Sequence, residues 1–101
     1  MLFRSVEKEL ERLKEITRQI MVSPHDAALR CQAGDIMLRN GQEKDGLRWL
    51  ESALKEDPNH SACHRLLADY YANHGSPDLA ARHRQLAVQG EARSLGKPLG
   101  Q

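Results

Sequence analysis

From Val6 to Met21 the apolar residues Val6, Leu10, Leu13, Ile16 and Ile20 recur at intervals of three and four, with Glu, Lys and Arg between them. That period predicts an amphipathic helix whose apolar stripe needs a partner surface. Ser23-Pro24-His25-Asp26 ends it, because Pro24 has no backbone N–H and pushes Ser23 out of the α region, and Asp26 then stands as the cap of a second helix. The second helix is expected to reach about Asn40, where Asn40-Gly41 supplies a left-handed closing turn, and a third to run from about Gln42 to Glu56. Asp57-Pro58-Asn59 stops the third helix, and a fourth follows from about His60 to Asn73, closed by His74-Gly75. Ser76-Pro77-Asp78 combines a capping residue with a proline at the first helical position and opens a fifth helix, expected to persist to about Gln89. Gly90 weakens that helix and Gly96-Lys97-Pro98 stops it, leaving residues 95–101 as a frayed tail. No segment alternates as a strand does. The pattern predicts an all-α chain of about five antiparallel helices.

The punctuation repeats. Pro24 and Pro58 stand 34 positions apart, and the same offset lays Gly34 on Ala68, Met37 on Tyr71, Gly41 on Gly75, Ala53 on Ala87 and Leu54 on Val88. Such a unit is one helical hairpin that cannot bury its apolar face alone, so the pattern predicts a solenoid built of hairpins stacked on neighbours. Two units fit, residues 26–60 and 61–94, preceded by the helix of residues 6–22. Residues 1–5 are either a frayed native terminus or residues foreign to the protein, since Leu2-Phe3-Arg4-Ser5 matches what the end of a sequencing adapter encodes in one frame. In the second case the chain is the C-terminal part of a larger bacterial protein.

The two units resemble the tetratricopeptide repeat. In the first, Ala33, Gly34 and Met37 stand at the family's Leu, Gly and Tyr places, Gly46 at the small Ala place, Leu50 at the aromatic place, followed by Ala53, Leu54 and Pro58. In the second, Leu67, Ala68, Tyr71, Gly75, Ala80, Ala87 and Val88 fit. Arg30 and His64 occupy the place where the family often has Trp, Arg84 replaces the aromatic residue and Ala92 the closing Pro, as suits a terminal repeat with a polar outer face. The resemblance implies a right-handed α-α superhelix of hairpins. Pro24 then closes a preceding unit, and residues 6–22 are either the second helix of that truncated repeat or a dedicated capping helix. Arg12 and Gln19, at its two Ala places, fit the repeat poorly.

The resemblance also implies a ligand-facing concave surface built from the first helix of each repeat. The family's ligand-facing places fall here on Ala28, Cys31, Asp35, Leu38 and Arg39, and on Ala62, Arg65, Asp69, Ala72 and Asn73. Asp35 and Asp69 are equivalent and can accept from a Lys or Arg of a peptide, or Asp35 can simply pair with Arg65. The family's clamp for a C-terminal carboxylate needs Lys and Asn where this chain has Cys31 and Asp35, which disfavours a receptor of that type.

Composition narrows the chemistry. Fifteen basic and fourteen acidic residues are interspersed, giving a net charge of +1 and no basic block for nucleic acid. Apolar runs are far shorter than the roughly 20 residues that span a bilayer, and no signal segment opens the chain, so membrane insertion is not expected and the compartment reads as cytoplasmic. Cys31 and Cys63 lack a C-x-x-C spacing and read as free thiols. His60, Cys63 and His64 set three metal-type donors on adjacent turns, but a fourth ligand is not evident and His64 reads more simply as the packing replacement for Trp. Neither a nucleophile, base and acid set nor a phosphate loop is present, so no catalysis and no cofactor are expected. Trp49 reads as an inter-repeat packing residue. The expected function is a scaffold binding a protein or peptide in the concave groove. The alternative is homodimerisation through the seam of Val6, Leu10, Leu13 and Ile20 and the open repeat ends.

Overall fold

The structure, a computed structural model, describes residues 2–94. Its elements are five α-helices: α1 (Leu2–Val22), α2 (Ala27–Arg39), α3 (Glu43–Glu56), α4 (Ser61–Asn73) and α5 (Pro77–Ser94). Among the described residues there is no strand. Helix α1 begins inside the segment expected to fray, while Met1 and the tail expected at residues 95–101 lie outside the described residues. The chain divides into two compact units between Glu56 and Asp57.

The 34-residue offset reappears in the backbone, since α2 and α4 start at Ala27 and Ser61 and end at Arg39 and Asn73, and α3 and α5 start at Glu43 and Pro77. The turns explain why. Gly41 and Gly75 take φ of 83° and 76°, the left-handed region that only glycine enters without strain. With each glycine in place, the N–H of the following residue reaches back over the helix end, Gln42 to the Met37 carbonyl at 2.8 Å and Ser76 to the Tyr71 carbonyl at 2.9 Å. These six-to-one bonds satisfy carbonyls that the helices would otherwise leave open. At the other end of α2, Asp26 Oδ1 accepts from the Leu29 N–H at 3.2 Å. At α4 the cap is His60, whose Nδ1 accepts from the Cys63 N–H at 3.2 Å.

In the first unit α1 and α3 both pack on α2. Ile16 and Ile20 of α1 bury against Ala33 and Ile36, with Leu13, Leu29 and Trp49 packed around them. The apolar stripe of α1 therefore finds its partner on α2. Gly34 and Gly46 let α2 and α3 cross closely: a Cβ on Gly34 would stand 2.8 Å from the Gly46 carbonyl oxygen and within 2.9 Å of the Leu50 side chain. Arg12 and Gln19 of α1 are exposed.

In the second unit α4 and α5 form one hairpin, with Ala68 and Ala80 buried at the places of Gly34 and Gly46. Helix α5 does not weaken at Gly90 but continues to Ser94. The reason is packing. Gly90 is buried, and a Cβ there would stand 2.2 Å from the carbonyl oxygen of Asn59, so the absent side chain is what lets α5 lie under the Asn59–Ser61 turn. Arg65 of α4 and Glu91 of α5 form an ion pair beside this contact.

Gly90→Ala tests the close approach. Alanine raises intrinsic helix stability by about 1 kcal/mol, whereas overpacking against fixed backbone costs about 1–3 kcal/mol, with a 2.2 Å clash at the upper end. A net loss of stability in thermal or denaturant unfolding is expected, and a variant as stable as the parent would show that α5 does not touch the turn.

Candidate functional site

Helix α2 does not present its five candidate residues together. Ala28 and Arg39 are exposed and Asp35 half-buried, but Cys31 is buried at 4% exposure. Leu38 is half-buried and reaches across to α3, where a Cβ on Gly46 would meet its Cγ at 2.8 Å. Small residues at the crossing thus draw Leu38 inward.

The charged pair of that helix is engaged inside its unit. Arg39 bridges to Glu9 of α1 at 2.5 Å and to Asp35 at 3.3 Å. Glu9 also accepts from Asn40 Nδ2 at 2.9 Å, and the same amide donates to the Ile36 carbonyl at 2.7 Å. One carboxylate therefore fastens both the side chain of Arg39 and the end of α2 to α1. Asp35 takes Arg39 as its partner and Arg65 takes Glu91.

Helix α4 presents all five of its candidates. Ala62, Arg65, Asp69, Ala72 and Asn73 are exposed, while Cys63, His64, Leu67 and Ala68 on the other side are buried. Steps of three and four residues put the first four on one helix face. That face carries an acid in its middle, a guanidinium one turn before it, and an alanine at each end, which leaves space for a partner backbone.

The cluster at the start of α4 is structural. His60 caps the helix, Cys63 is fully buried, and the His64 ring lies under α5. His64 Nε2–H donates to the Pro58 carbonyl at 2.8 Å, which leaves Nδ1 as the acceptor, 3.0 Å from His83 Nδ1. His83 must then carry its proton on Nδ1 and donate it to His64. Burial pushes His83 below the usual histidine range, and the neighbouring His64 and Arg82 push the same way. Its ring also stacks on Tyr71, with centroids 5.6 Å apart. Among the described residues no group of three or more His, Cys, Asp or Glu side chains gathers as a metal site would require. The sequence groups His64 with His60 and Cys63 and gives no direct sign of His83, whose position is equivalent to Trp49; an imidazole at the place of a packing indole is the available signal.

Trp49 is half-buried and packs on the α1–α2 cluster of its own unit. Among the described residues no helix is long and apolar enough to cross a membrane. No protein-family model, no curated protein and no solved structure matches this chain.

The two thiols report on this geometry, because Cys31 and Cys63 are both buried and outside any disulfide. A thiol reagent at neutral pH is expected to modify both at least roughly a hundredfold more slowly in the native state than in denaturant. Rapid native labelling of a Cys63→Ser variant, in which Cys31 is the only thiol, would return Cys31 to the surface and to the ligand-facing set.

Proposed function

We propose that this chain is a non-catalytic interaction module of the tetratricopeptide type, and that the exposed face of α4 holds an extended or helical peptide. In this reading the hairpins stack as a right-handed superhelix, as the repeat resemblance implies. The observation that carries the proposal is the contrast between the two equivalent helices. Ala62, Arg65, Asp69 and Ala72 form an uninterrupted exposed strip, whereas on α2 Cys31 and Leu38 turn inward and Arg39 is tied to Glu9 and to Asp35.

The chemistry of the strip defines the partner. Asp69 is an exposed carboxylate that can accept from a Lys or Arg, and the alanines let a peptide backbone approach α4. Arg65, a member of the strip already paired with Glu91, offers its remaining donors to a peptide carbonyl or acid. Rim charges of this kind set specificity and encounter rate more than affinity, so a modest dissociation constant fits this surface. The competing self-association reading rests on the seam of Val6, Leu10, Leu13 and Ile20 and on the open repeat ends; Leu13 and Ile20 of that seam are engaged with α2, while Leu10 is exposed.

The test uses peptides selected by display on the full chain and a backbone amide spectrum of the isotope-labelled protein. Shifts on titration are expected at Ala62, Arg65, Asp69, Ala72 and Asn73, and Asp69→Lys is expected to weaken binding about tenfold, or about 1.4 kcal/mol. Shifts confined to α1 or α3, or unchanged affinity in Asp69→Lys, would place recognition elsewhere.

A further inference from the structure

The second unit carries a polar contact in its interior that the proposed docking face does not use. His64 on α4 and His83 on α5 meet nitrogen to nitrogen at 3.0 Å, with ring centroids 5.2 Å apart, across the middle of the hairpin. Proton positions follow from the partners. The Pro58 carbonyl can only accept, so His64 Nε2 carries a hydrogen, and His83 Nδ1 supplies the hydrogen between the rings. One additional proton can be taken without loss of this bond, on His83 Nε2 for example. A second cannot, because both Nδ1 atoms would then carry hydrogens pointed at each other across 3.0 Å, on two adjacent positive rings.

His83 is faced from α4 by His64 and by the Tyr71 ring, and Arg82 stands beside it on α5; the Nε2 of His64 is held by the Pro58 carbonyl. Desolvation, His64 and Arg82 all disfavour the charged form of His83. A ring whose proton affinity is depressed by folding takes up a proton more readily when the hairpin opens, so its contribution to stability is complete above the ordinary histidine value of 6.5 and is lost as pH falls below that value toward the depressed one.

We propose that the α4–α5 hairpin is a proton-sensitive element, held closed by the neutral or singly protonated His64–His83 pair and opened when both rings are charged. The device is independent of what α4 binds. It gives the second unit a stability set by acidity, while the aliphatic cluster of the first unit has no comparable group at its centre.

Two measurements on the full chain test this. Nitrogen-detected spectra of the histidine rings are expected to show His64 as the Nε2–H tautomer and His83 as the Nδ1–H tautomer at pH 7.5, with His83 taking its proton below the ordinary range. Hydrogen exchange in α4 and α5 is expected to show an opening constant that rises by up to about tenfold per pH unit per proton below pH 6.5, and His83→Gln, which keeps a donor for His64 but cannot charge, is expected to flatten that dependence. An equal pH slope in His83→Gln overturns the proposal. So does independent titration of both rings at ordinary values in the parent chain, a result that does not require the variant to fold.

Discussion

The structure depends on how closely two helices can approach within a hairpin. In the first unit Gly34 and Gly46 face each other, and a Cβ on Gly46 would already lie 3.0 Å from the Gly34 carbonyl oxygen. The absence of side chains at this crossing lets Leu50 and Leu38 close over it, and Leu50 is completely buried. Interiors packed to this density respond to single methyl groups, because surrounding backbone cannot move aside. Ala68 and Ala80 hold the corresponding places in the second unit, each about 1% exposed, and there a further close approach is made by Gly90 against Asn59. Both hairpins thus use small residues to bring backbones together, at different points along the helices.

What fills the space beside those crossings separates the two units. The first is closed by Ile16, Ile20, Ala33, Ile36 and Trp49, a cluster whose stabilisation comes from area removed from water. In the second, the buried His64 of α4 meets the half-buried His83 of α5. A hydrogen bond in such a place contributes about 0.5–1.5 kcal/mol when made, whereas a buried polar group left without its partner costs about 1–3 kcal/mol. The polar interior is therefore stable only in the protonation states that keep every donor opposite an acceptor. It also fixes the register of α5 on α4, since His64 is tied to Pro58 on one side and to His83 on the other.

The same packing decides which surfaces remain for recognition. At the 34-residue offset Ala28 matches Ala62 and Asp35 matches Asp69, but Cys31, Leu38 and Arg39 stand where α4 has Arg65, Ala72 and Asn73; Glu9 of α1 reaches Arg39 and Asn40 and the crossing takes Leu38, so the α2 face is partly spent on holding its unit together. On α4 the corresponding residues stay exposed, because the buried His64 and Leu67 lie off that strip, and Arg65 keeps its place on it while pairing with Glu91 of α5. A binding face here is the remainder left after packing.

Much of this was legible in the chain itself. The three-and-four spacing of Leu13, Ile16 and Ile20, the prolines at 24, 58 and 77, and the glycines at 41 and 75 determined five helices and the offset that relates two hairpins, because helix periodicity and turn geometry are local properties of a few neighbouring residues. Tertiary structure alone decided that Gly90 is a contact surface and not a helix breaker, that Cys31 and Leu38 face inward, that Glu9 clasps Arg39, and that His83 meets His64. Each of these depends on atoms distant in sequence arriving within a few ångströms of one another. Residue spacing along one helix states which face a side chain shares, and only the neighbouring helix determines whether that face meets water.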